Sequence, residues 1–256
     1  MLLLSSASCM DDTGRYGQDN RNYRITASIE DANVASRVAD KNNRTSFTKN
    51  DEIFIGWSGS ASYKYLCSGT DNVFVPNASD ANRELWTGLL NASSTKEVYA
   101  WYGTMSSTLP AVGTNISIPP DQTSDSKMLS AICMAAHQSA SSTTNTLDFT
   151  FHHLTARLFI SVDVVDDIVM QEDVMGATAR LNRIYTAGNV ATDTSSKEYL
   201  LNVPTDKAGT GSIRMNRSWS DQEAFHLDFE CLLPPQILGE ELVSYTHLTL
   251  PTKRIV

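Results

Sequence analysis

Between Leu147 and Val165 the sequence alternates apolar and polar residues, and the phase of that alternation inverts halfway. Leu147, Phe149 and Phe151 alternate with Asp148, Thr150 and His152; beyond His152-His153 the apolar set becomes Leu154, Ala156, Leu158, Ile160, Val162 and Val164. Side chains of a strand point to opposite faces in turn, so a one-residue slip moves a whole apolar set to the other face. A chain with this pattern must interrupt the strand near His152-His153, with a bulge or by leaving one sheet for another. The stretch is also roughly 18 residues long, where strands mostly run about 5 or 6. It is therefore expected to link two domains.

The same period of two recurs along the chain, separated by clusters of Ser, Thr, Asn, Asp and Gly, and it predicts an all-β fold. Tyr23, Ile25, Ala27 and Ile29 share one face of a first strand. Asp51–Trp57 and Val98–Tyr102 make two more, the latter rich in the β-branched and aromatic residues that suit a pleated surface. Ser126 to Ala136 fits a strand or a helix, because Met128, Leu129, Ile132 and Cys133 also fall at helical spacing. Later candidates are Ala179–Tyr185, Lys197–Val203, Ser212–Asn216 and Ala224–Leu233, the last closed by Pro234-Pro235, which removes two backbone donors.

Charge and hydrophobicity bound the function. With 256 residues, 41% of them hydrophobic, the chain can fill one large domain or two ordinary ones. Twenty Lys and Arg against 29 Asp and Glu give a formal charge of -9, with no basic stripe to neutralise a row of phosphates, so nucleic acid is not an expected partner. No apolar run approaches the roughly 20 residues that cross a bilayer as a helix. Membrane attachment is expected only through the N-terminus. There, Met1 to Cys9 gives a short apolar run, small residues and a cysteine, followed by Asp11-Asp12, which looks like the end of a lipoprotein signal with lipidation at Cys9. The alternative is an ordinary tail with a chance cysteine. Cys67, Cys133 and Cys231 form no C-x-x-C pair and read as small buried hydrophobes.

Four segments, in order, resemble the fimbrillin family and its Mfa-like branch. They are Ile25-Thr26-Ala27-Ser28-Ile29; Phe47 to Ile53 after an arginine-bearing loop, with Asn50 where the family has glycine; Ser124 to Ala131 followed by Phe151-His152-His153-Leu154-Thr155-Ala156-Arg157-Leu158; and Leu232-Leu233-Pro234-Pro235-Gln236. The resemblance implies two transthyretin-like β-sandwich domains in tandem, export as a surface lipoprotein, and assembly into a type V pilus by donor-strand exchange. In that mechanism a protease cuts after an arginine between the first two strands. The groove vacated by the first strand then accepts a strand from a neighbouring subunit, a form of β-augmentation. Arg37 and Arg44, in the polar loop from Asp31 to Thr45, are the candidate cleavage points, with Arg37 preferred because Arg44 lies close to the second strand.

The expected organisation is a partial lipoprotein signal over 1–9, a linker over 10–21, an N-terminal sandwich over 22–165 and a C-terminal one over 166–242. The run from Val243 to Val256 departs from the family and resembles a translated sequencing adapter, which implies a second domain lacking its last strands.

No catalytic, metal or cofactor site is expected. His152 and His153 are adjacent on a strand and point to opposite faces, so they do not chelate one ion without the bulge turning one of them. The Gly56–Ser60 turn misses the G-x-S-x-G pattern by one position. Gly209-Thr210-Gly211 lacks a third glycine and a phosphate-binding helix. Asp163, Asp166, Asp167, Glu172 and Asp173 lack the glycine and spacing of an EF-hand and read as a solvated acidic turn. The sequons at Asn43, Asn77, Asn91, Asn115 and Asn216 read as polar turns. The expected function is a fimbrial subunit or tip adhesin, on the cell surface as an outer-membrane lipoprotein or fimbrium, partnered by other subunits. The rival is a non-polymerising surface lipoprotein that binds host or bacterial glycans by stacking Trp57, Trp86, Trp101 or Trp219 on sugar faces; Trp101, in a dense apolar strand, is assigned to the core. A glycoside hydrolase ranks third.

Overall fold

The computed structural model describes residues 23–30, 46–57, 61–77, 79–163, 177–205, 209–218 and 226–238. The chain is all-β in class, with two short helices among the described residues. Seven strands close a ring, in the order β1 (Arg24–Ile29), β4 (Val73–Pro76), β3 (Tyr63–Cys67), β2 (Glu52–Gly56), β5 (Lys96–Gly103), β7 (Cys133–Ala140), β8 (Thr146–His153). Period-two alternation turns Ile53, Ile55, Tyr65, Val98, Ala100, Leu147, Phe149 and Phe151 inward to one buried cluster. Helix α1 (Ser79–Leu90) packs against β3 and β4 and adds Leu85, Trp86 and Leu89 to that cluster. Its Gly88 lets Trp57 lie against the helix: a Cβ there would stand 2.5 Å from the indole ring.

The ambiguous stretch from Ser126 contains both structures. Helix α2 (Asp125–Leu129) is capped by Ser124, whose side chain accepts from the Lys127 N–H, and β7 begins four residues after its end. Met128 is buried from the helix, while Cys133 and Ala135 belong to the strand.

The phase inversion corresponds to a change of sheet. β8 ends at His153, and β9 (Ala156–Asp163) pairs along its whole length with β15 (His226–Leu233), which pairs in turn with β14 (Asn216–Ser218). Leu154 still donates to the Cys133 carbonyl at 2.8 Å, so the break falls at Leu154-Thr155. Phe149 and Phe151 point into the ring, whereas Leu158, Ile160 and Val162 pack on a second cluster built around Leu181, Ile213, Leu227 and Phe229. Opposite that face stand β10 (Arg180–Ile184) and β13 (Gly211–Arg214), whose register shifts at Arg183.

A third sheet, β12 (Tyr199–Asn202), β11 (Ala187–Thr192) and β6 (Asn115–Ser117), covers the outer side of the ring wall. There Tyr199 stacks on Tyr99 at 4.4 Å, and Val190 and Leu201 join Phe54, Trp101 and Ala135 in one cluster. The stretch read as Lys197–Val203 begins only at Tyr199, because Lys197 holds a turn at φ 65°. Ser212–Asn216 spans two strands, with Met215 between them.

Candidate functional site

The strand expected to leave in an exchange mechanism is β1. It is paired with β8 in parallel over six residues, Arg24↔Thr146 to Ile29↔Phe151, and with β4 in antiparallel over only two, Ile25↔Phe74 and Thr26↔Val73. Every other strand pairing among the described residues is antiparallel. Ile25, Ala27 and Ile29 are buried inside the ring, while Arg24 and Ser28 face out. Beyond the pairing registers, the Ala27 N–H reaches the Asn72 carbonyl at 3.0 Å and the Glu30 N–H reaches Phe151 at 2.7 Å. Thr26 adds a side-chain bond to Asp148 at 2.7 Å, and Tyr23 stacks on Trp86 at 4.6 Å. Without β1 the ring would be open between β4 and β8, with Phe74, Leu147, Phe149 and Phe151 along the gap.

The residues of the resembling motifs fall at several places in the fold, and only Phe47 packs on the strands that flank β1. Phe47 meets Phe74, Phe151 and Tyr102 edge-on, at 5.2, 5.3 and 5.6 Å. Asn50 stands at φ 71°, the left-handed region that Asn tolerates and glycine favours, which accounts for its exchange with glycine. His152 Nε2 donates to the Tyr199 carbonyl at 3.0 Å, tying β8 to the third sheet. Arg157 donates through Nε and a terminal nitrogen to Glu230, which is 1% exposed. Glu230 also accepts from Asn216, whose amide reaches Asp125 at 2.7 Å. Gln236 receives the Tyr185 N–H and donates to the Tyr185 carbonyl, each at 2.9 Å, so one side-chain amide acts as a strand partner. Gln122, fully buried, does the same for Leu232, at 2.8 and 2.7 Å; the sequence reading did not single it out.

The remaining candidates separate. Cys9, Arg37, Arg44, Trp219, Asp166, Asp167, Glu172 and Asp173 lie outside the described residues. Trp101 and Trp86 are buried and unavailable to a sugar, and Trp57 is half-buried with the Lys96 ammonium 5.1 Å from its ring centre. Asn216, read as a turn, is a buried strand residue. Cys67, Cys133 and Cys231 are buried thiols; burial pushes Cys133 well up and Cys231 to about 12. Among the described residues no group of three or more His, Cys, Asp or Glu could hold a metal ion. His137 pairs with Glu97 at 2.5 Å, and the Ser139 hydroxyl joins them at 2.7 Å; these bonds hold the Glu97 carboxyl below the ordinary range.

No family model matches the sequence, and no curated protein is significantly similar to it. Solved structures are. A candidate cell adhesion protein from Bacteroides ovatus superposes with a TM-score of 0.57 at 15% identity, over 86% of this chain and 81% of that one. A second, from Bacteroides uniformis, gives 0.49 at 17% identity, over 83% and 75%. The fimbrial anchor protein Mfa2 from Porphyromonas gingivalis gives 0.37 at 7% identity, over 84% and 73%. The first likeness shows the fold. This chain has the architecture of that Bacteroides protein.

Proposed function

We propose that the chain is a structural subunit or tip adhesin of a cell-surface fimbria, exported as a lipoprotein through Cys9 and assembled by exchange of its first strand. The observation that carries this reading is the position of β1: it closes the ring by a long parallel edge on one side and two residue pairs on the other. Burial of Ile25 and Ile29 contributes about 1.5–3 kcal/mol each, so β1 leaves only when another strand takes its place. The sequence between β1 and β2 carries Arg37 and Arg44, and a cut after either would separate the strand covalently from the rest of the chain. Partners are then other copies or related subunits, and the molecule acts as scaffold and adhesin, not as an enzyme. The division into two transthyretin-like sandwiches, 22–165 and 166–242, belongs to the same proposal.

Limited trypsin digestion of the folded protein, with N-terminal sequencing of the large fragment, tests it. The expected result is a new terminus after Arg37 or Arg44, followed by an SDS-resistant ladder. Resistance at both arginines while other surface sites are cut would remove the support for strand exchange.

A further inference from the structure

We propose that His152 is a pH-dependent clamp between the ring and the third sheet. It stands near the end of β8, in a cross-strand row with Ala135 on β7 and Trp101 on β5, two residues of the cluster that the third sheet covers. Its Nε2 lies 3.0 Å from the Tyr199 carbonyl. A carbonyl only accepts, so Nε2 carries the proton and the neutral ring leaves Nδ1 as a bare lone pair. That Nδ1 is buried and has no hydrogen-bond partner among the described residues. The Glu198 carboxylate, just ahead of β12, stands 3.9 Å from it, beyond hydrogen-bond distance. In the neutral state an acceptor therefore faces an acceptor across the junction.

Proton uptake changes that contact and leaves the other alone. A protonated imidazole donates from both nitrogens, so Nε2 keeps the Tyr199 carbonyl while Nδ1 gains a donor facing Glu198. The bond so formed is charge-assisted and joins β8 to the start of a strand in another sheet. Glu198 is available for it: its side chain is 49% exposed, and no hydrogen bond among the described residues holds its carboxylate elsewhere. The other titratable groups nearby do not compete. On β8 itself, His153 points to the opposite face, and Asp148 accepts from Thr26. On β7, burial pushes the Cys133 thiol well up, and His137 is held by Glu97 of β5 at 2.5 Å. Burial also raises Tyr99 on β5 and Tyr199 on β12, the latter to about 12, so both stay neutral below pH 8. The Lys197 ammonium donates to the Thr194 carbonyl at 2.8 Å. The clamp acts on the strand beside β1, because Phe151, the residue before His152, is the parallel partner of Ile29. It holds whether or not β1 is exchanged.

The test compares the full chain with Glu198→Gln, which keeps the size of a half-exposed side chain and removes its charge. Urea unfolding is followed at pH 8 and pH 5.5, on either side of the range in which imidazoles change charge. His137 and the remaining carboxylates are common to both proteins, so their titration cancels in the comparison. The contribution of the clamp is present when the imidazole holds its second proton and is lost as pH rises. The two proteins should therefore unfold alike at pH 8. At pH 5.5 the wild type should be favoured roughly twofold to fivefold in its folding equilibrium, the size of a partly exposed ion pair. In a His152→Gln background, Glu198→Gln should lose that pH-dependent effect. Nitrogen-15 NMR at pH 8 reads the tautomer directly, with a protonated Nε2 and a bare Nδ1 expected. The proposal is overturned by the opposite tautomer at pH 8, by equal stability of the two proteins at pH 5.5, by a wild-type advantage as large at pH 8, or by an unchanged effect without His152.

Discussion

Asp121 shows how a surface carboxylate can couple separate parts of this molecule. It receives the Lys127 ammonium at 2.8 Å and the Arg214 guanidinium at 2.7 Å, and Thr123 donates to its other oxygen. The Lys127 bond, then the Thr123 bond, lower its carboxyl from 3.8 to about 2. A depressed folded-state value means that the contribution to stability is complete above pH 3.8 and is lost as pH falls towards 2. Asp121→Asn should therefore flatten the stability-against-pH curve in that window and leave the shape above pH 5 unchanged, as urea unfolding at pH 5, 3 and 2 would report. A steeper acid loss in the variant would contradict the assignment. Gln122, its neighbour, sits fully buried with both ends of its amide on Leu232. Gln122→Ala leaves a buried N–H and a buried carbonyl without that partner, at about 1–3 kcal/mol for each such group. Urea midpoints should fall accordingly, with little change in the slope. Neither residue stood out in the sequence: an Asp and a Gln in a polar run look like solvent-facing loop until the partner strand, about 110 residues away, is in place.

At the scale of elements, legibility followed local periodicity. The inversion at His152-His153 was visible because alternation is a local property, and the structure resolves it as a transfer from the ring to the β9–β15 pair. Helix α1 was missed because Leu85, Trp86 and Leu89 are its core contacts within a polar stretch, too few to compete with the dominant period of two. Strands β6 and β14, three residues each, are too short to show any period, and exist through their partners. The parallel register of β1 on β8 is non-local and left no mark in either segment. The candidate site was legible only as a strand, since the processing and lipidation residues rest on resemblance and on loop polarity. The Arg157–Glu230 pair, between β9 and β15, offers a test at this scale. Glu230→Ala should destabilise by about 2–4 kcal/mol, discounted from a fully buried pair because Arg157 keeps 27% side-chain exposure. Replacing both residues with leucine should recover part of that loss, because Arg157 is no longer left without Glu230, while Asn216 still loses an acceptor; chemical denaturation of the two variants and the wild type decides it.

For the whole molecule, the ring makes one strand separable in principle. β1 contacts the remainder through Ile25, Ala27 and Ile29, the pairing with β8, and a short edge with β4, and no described strand threads across it. Its buried face has the alternation of a generic donor, so what specifies it is the size of the pockets: a small residue at Ala27 between two larger ones at Ile25 and Ile29. A chain beginning at Ser46 should expose this groove and self-associate, as apolar surface and unpaired strand edges predict. Added in trans, a peptide of residues 23–30 should bind in the β1 register and return the chain to monomer, measured by light scattering and by protection of the Phe149 and Phe151 amides from hydrogen exchange. A peptide carrying Ile25→Asp should fail, because it places a charge where a 2% exposed side chain stood. One carrying Ala27→Ile should bind less well than the native sequence, because that pocket is filled by a methyl group. If all three peptides rescue equally, the groove reads only backbone, and size-matched exchange between subunits has no basis in this fold.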